Sequence, residues 1–146
     1  MQDTEVLRQS VEDKIRICLK EYFPDFNEFP GGAFTVSQGS AVISIFLRVW
    51  HEGDIAVTFT SQLVTGAVVD ANLMEWLLKK NSEINFGAFG LLFDNTIVYS
   101  HTLPGMDLSD SELTSTLATM ATIADFYDGV IVEMAGGKLG IEYEIF

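Results

Sequence analysis

Between Ala41 and Val64 the chain alternates in steps of two on both sides of a single turn, the pattern of a strand pair with one buried face. From Ala41 to Trp50 one set of positions is Ala41, Ile43, Ile45, Leu47 and Val49, all apolar. The other set is Val42, Ser44, Phe46, Arg48 and Trp50, which is mixed. His51-Glu52-Gly53-Asp54 turns the chain, and Ile55, Val57, Phe59, Ser61 and Leu63 then alternate with Ala56, Thr58, Thr60 and Gln62. Successive strand side chains point to opposite faces, so this pair buries one face and leaves the other accessible. The rest of the chain has to be arranged around a half-covered sheet.

The period changes to that of a helix in three places. Leu7, Val11, Ile15, Cys18 and Tyr22 form one stripe within residues 3–22, with Asp3 or Thr4 as cap and Pro24 as stop. Residues 70–81 pair Leu73 with Leu77 and Met74 with Leu78, start at Asp70 and end on Lys79 and Lys80, which suit the C-terminal dipole. Ser109 to Glu112 is a capping box with Leu108 and Leu113 as its staple. The helix behind it runs through Leu117, Met120, Ala124, Tyr127, Ile131 and Met134 to a Gly136-Gly137 stop. Residues 25–32 read as a loop and Ala33–Gln38 as a short strand joined to the next by Gly39-Ser40. Ile84–Phe93 and Thr96–Leu103 read as a hairpin across Asp94-Asn95. The order is α-β-β-β-α-β-β-α, an α+β fold in which helices pack on one face of an antiparallel sheet. Residues 1–138 make a single domain, and the alternating stretch 139–146 is an added edge strand or an extended tail.

Size and charge narrow the partners. At 146 residues one real core is within reach without disulfides, and Cys18, the single cysteine, has no internal mate. Net charge is −13, of which residues 81–146 carry −9 with one basic side chain, Lys138. Such a field repels nucleic acid and anionic membrane surfaces. It suits a basic or uncharged protein segment, and it equally keeps a domain of mean hydropathy +0.25 soluble. No stretch is long and apolar enough to span a bilayer, and the start has no apolar segment of a signal peptide, so the expected compartment is the cytoplasm.

Groups able to do chemistry are few. His51 reads as an exposed turn residue and His101 as a structural histidine near a strand end, and two isolated histidines make no zinc site. Cys18 lies on an apolar stripe and reads as buried and inert. Asp107, Asp110 and Glu112 serve a helix N-terminus, while Asp125, Asp128, Glu142 and Glu144 read as solvated. Gly136-Gly137-Lys138 is a helix end, not a phosphate loop, and Gly87 and Gly90 mark a bulge or a close backbone approach. No catalytic residue, metal or cofactor is expected. The informative positions are apolar residues on faces that should be wet: Phe46, Arg48 and Trp50 on one strand, Thr58 on the next, and Trp76 off the main stripe of the second helix. Trp and Arg are enriched where proteins bind one another, and the alternative is that a helix covers these positions.

The helix end Leu77-Leu78-Lys79-Lys80-Asn81, the run Ile84-Asn85-Phe86-Gly87-Ala88-Phe89, the Asp94 turn, Leu103-Pro104, Leu108 with Leu113, and Ala124-Asp125 together resemble the type III secretion chaperone-like superfamily, its YbjN-type branch most closely. The resemblance spans about residues 3–135 and leaves out the stretch from 139 on. It implies a small acidic homodimer that holds a protein or peptide client in extended form, its client segments lying over apolar sheet and helix patches. Two other readings stand beside it. One is a regulatory or assembly factor that contacts one folded protein. The other is an enzyme with a closed apolar pocket under His101 and an Asp.

Overall fold

A computed structural model describes residues 4–51 and 53–140. Helix α1 covers Thr4–Tyr22 and is followed by strands β1 (Asn27–Phe29), β2 (Ala33–Gln38), β3 (Ala41–His51) and β4 (Asp54–Thr65). Helix α2 (Ala71–Glu83) leads to β5 (Ala88–Leu91) and β6 (Ile97–Pro104), then to α3 (Asp110–Ala135) and β7 (Lys138–Leu139). The strands lie in the order β1-β2-β3-β4-β6-β5, every pair antiparallel, with β7 paired to the end of β4.

The expected α+β architecture is the observed one. Ile45 sits opposite Phe34 and Phe59, and Phe59 opposite His101, so the apolar sets of four strands share one face. Leu7, Val11, Ile15 and Leu19 of α1 and Leu113, Leu117, Met120 and Ile131 of α3 close over that face. Helix α2 adds Leu73 and Leu77 beside β5. The caps form as their residue types require. Asp70 accepts from the Leu73 amide at 2.9 Å, and Ser109 and Glu112 bond reciprocally.

Two expectations are corrected. Asn27–Phe29 is a strand, not loop, pinned by charge: Arg16 pairs with Glu28 at 2.6 Å while also holding Glu12 and Asp13, and Arg8 donates to the Gly31 carbonyl. The fifth strand begins at Ala88 and not at Ile84, because Gly87 turns the backbone with φ +79°. A Cβ there would stand 2.6 Å from the Ser100 carbonyl oxygen and 2.8 Å from the Tyr99 ring and hydroxyl, so the chain enters β5 only through glycine. Asn81 of α2 then meets the strand's outer edge, accepting from the Phe89 amide at 2.7 Å and donating to its carbonyl at 3.3 Å. Of the C-terminal stretch, Leu139 lies opposite Val64 of β4, and Glu142 and Glu144 fall outside the described residues, as does Glu52 of the turn.

Candidate functional site

The uncovered face of the sheet has a polar middle and an aromatic end. Register places Ser44, Thr60 and Ser100 in one row and Phe46, Thr58 and Thr102 in the next. The hydroxyls of Thr60 and Ser100 lie 3.1 Å apart, as do those of Thr58 and Thr102, so neighbouring strands are stitched by side chains as well as backbone. Beyond them come Arg48, Ala56 and Pro104. Phe46 is 49% exposed and Trp50 61%. Val49, on the opposite face where the helix cover runs out, is also exposed.

Trp50 owes its position to a bulge. Val49 opposes Ile55 and His51 opposes Asp54, which leaves Trp50 as the residue without an opposite number. A bulge re-aims the side chain it carries. Here Trp50 joins Arg48, Ala56, Thr102, Leu103 and Pro104 around an open groove of about 350 Å³. Asp54 is the single carboxylate in strands β2 to β6, and Glu28 of the edge strand β1 is paired with Arg16 of α1. The face is thus a neutral platform with one cation, Arg48, inside an acidic molecule.

Phe46, Arg48, Trp50 and Thr58 therefore stand together on one face, Thr58 directly opposite Phe46. Trp76 is elsewhere. Its ring meets Phe89 at 6.2 Å and Tyr127 edge-on at 6.0 Å, with the Lys80 ammonium 5.6 Å from its centre, and it is half-buried between α2, β5 and α3. Thr102, Leu103 and Pro104 complete the groove; Leu103-Pro104 counts in the sequence only toward the family resemblance, and nothing there marks the three as part of this face. Only the β4–β6 register brings them beside Ala56 and Thr58.

A second cavity of about 230 Å³ lies between β6 and the first half of α3, lined by Phe86, Tyr99, His101, Leu103, Glu112, Ser115, Thr116, Thr119 and Met120. It occupies the place under His101 where an enzyme would need a pocket. The carboxylate it holds is Glu112, not an Asp, and Glu112 is engaged by the amide and hydroxyl of Ser109 at 3.2 Å each. Burial holds the His101 imidazole below its ordinary pKa, and Phe86 packs edge-on against it at 6.4 Å. Burial also pushes the Tyr99 hydroxyl up to about 12 and the Cys18 thiol up to about 12, the latter with help from Asp110. Among the described residues no three His, Cys, Asp or Glu side chains are grouped to hold a metal ion, and no helix is long and apolar enough to cross a membrane.

Comparison with known proteins bears on the family and the fold. Residues 5–142 match the family described as T3SS (YopN, CesT) and YbjN peptide-binding chaperone 1. Among solved structures, the ExsC–ExsE complex contains a chain of the same fold, with a TM-score of 0.66 at 14% identity, covering 86% of this chain and 96% of that one. The Yersinia pestis type III secretion chaperone SycH, solved with a stable fragment of YscM2, aligns with a TM-score of 0.55 at 16% identity over 80% of this chain and 98% of its own. No curated protein matches the sequence.

Proposed function

The chain belongs to the family of T3SS and YbjN peptide-binding chaperones, and from that membership we propose that it works by holding an extended client segment against the open face of its sheet. The observation that carries the reading is the cluster of Phe46, Arg48 and Trp50, two large aromatics and a cation left uncovered beside a groove on a sheet whose other face is packed against α1 and α3. Burial of client apolar side chains drives binding at roughly 25 cal/mol per Å² of apolar area removed from water. The threonine and serine rows let the segment lie flat without demanding one sequence. The acidic helices and loops disfavour anionic segments and favour neutral or basic ones. The molecule does this as a cytoplasmic homodimer and without catalysis; a solution mass of twice 16.1 kDa is the expected value.

The test uses the two tryptophans. In a Trp76→Phe background Trp50 is the remaining reporter, and a synthetic peptide from a co-purified client should shift its emission to the blue. Trp50→Ala should weaken that peptide's binding about tenfold or more while leaving the melting temperature unchanged, since hot-spot truncations cost ~2 kcal/mol or more. Full affinity in Trp50→Ala would show that the client lies elsewhere.

A further inference from the structure

Arg48 is the single Lys or Arg in strands β1 to β6, and it stands on the open face of a molecule whose net charge is −13. Elsewhere basic side chains are engaged within the protein: Arg16 holds Glu12, Asp13 and Glu28, Lys79 pairs with Glu75, and Lys80 with Glu83. The chain has 21 Asp and Glu side chains, yet among the described residues Arg48 enters no ion pair and no side-chain hydrogen bond. Asp54, the one carboxylate of β2 to β6, turns to its own backbone and accepts from the Ile55 amide at 2.8 Å. The guanidinium is therefore exposed and unpaired, with exposed Phe46 and Trp50 two residues to either side of it on β3. Register adds a third exposed aromatic to this end of the face: Phe29 lies opposite Ala33, which lies opposite Phe46.

A segment that covers the groove shared by Arg48, Trp50, Ala56 and Pro104 takes water off the guanidinium. A charge stripped of water and left without a partner is strongly destabilising, so the acceptor has to come with the segment. A carboxylate suits the planar fork of an arginine, and such charge-assisted pairs are roughly twice as strong as neutral ones. We propose that the client segment carries one Asp or Glu with apolar side chains two residues before and two residues after it, the carboxylate on Arg48 and the apolar pair on Phe46 and Trp50. This rests on the open face being the client surface and adds the chemistry of the segment. Side chains of an extended chain recur on one side every two residues, about 6.6 Å apart, the same step that separates Phe46 from Arg48. The pattern is symmetric about the acid, so the segment satisfies it in either chain direction. The acidic helices and loops around the face repel further carboxylates, which leaves the rest of the segment neutral or basic. Selectivity thus comes from one attraction set inside a repulsive field.

The experiment selects random nonapeptides displayed on phage against the native protein, Arg48→Met and Trp50→Ala. The native protein should enrich an Asp or Glu flanked by apolar residues at the second position on each side. Arg48→Met should keep the apolar preference, lose the acid, and melt at the native temperature, because the side chain it replaces is exposed and unpaired. A selected peptide is then titrated by Trp50 emission in the Trp76→Phe background. Changing its acid to the matching amide should weaken binding roughly five- to twentyfold. That gap should vanish in Arg48→Met and narrow as salt rises from about 50 mM to about 500 mM. The inference is overturned if the native protein enriches apolar peptides without the acid, if a basic residue takes the central position, or if the acid preference survives in Arg48→Met. In those cases a loss of the apolar preference in Trp50→Ala still upholds the client face. If Trp50→Ala selects the same peptides as the native chain, or if nothing is enriched, the client face and the inference built on it fall together.

Discussion

Strands β3 and β4 each present two faces, both carrying large aromatic or aliphatic side chains, yet those faces have opposite fates. On one, Ile43, Ile45, Val57 and Phe59 are completely buried beneath α1 and α3. On the other, Phe46 and Trp50 stay half-exposed or more, one residue away along the same backbone. Hydrophobicity alone does not distinguish Ile45 from Phe46. Phase does: a period of two assigns each residue to a face, and helices are available to cover only one. The covered face contributes its large side chains to the core, and the open face leaves Phe46 and Trp50 exposed.

That contrast is open to test. Phe59→Ala on the covered face should destabilise the fold by about 3–5 kcal/mol, read as a drop in urea midpoint, because it leaves a cavity under α1 and α3. Asn81→Ala should cost about 1–3 kcal/mol, since it strips two hydrogen bonds from the backbone of Phe89; native-state hydrogen exchange at the Phe89 amide should quicken as well. Alkaline pH should weaken the covered face selectively. The Cys18 thiol is held far above its ordinary value, so the unfolded chain loses that proton first. Stability is then intact below about pH 9 and falls as the pH rises toward 12. Cys18→Ala should flatten the start of that decline in a series of urea melts. The smallest effect belongs to the open face: Thr60→Val breaks the contact with Ser100 and should change stability by no more than about 0.5 kcal/mol. A large loss there would mean that the two faces are not independent.

The sequence makes much of this plain. Alternation alone separates Ile43, Ile45 and Leu47 from Phe46 and Arg48, and the serine-to-glutamate box locates the start of α3 at Ser109. What it hides are features held by non-local partners. Asn27–Phe29 lacks any alternating apolar signal, and Arg16 and Arg8, from α1, decide that it becomes a strand. Ile84–Gly87 continues the pattern of β5 but bends away because Gly87 must pass Tyr99. Trp76 lies off its helix stripe as an exposed residue would, yet Phe89 and Tyr127 enclose it. The groove and the cavity under His101 arise from register across β4 and β6 and from how far α3 stands off the sheet. No single stretch of chain encodes either one.

The amide of Asn81 has a consequence for a protein that handles extended chains. A strand rim with free N–H and C=O groups invites the next chain to dock and can seed a growing filament. At Phe89 both groups are already taken, so an incoming segment finds nothing to zip onto there. That edge of the sheet is thereby closed to strand addition at its middle, next to a face that stays open.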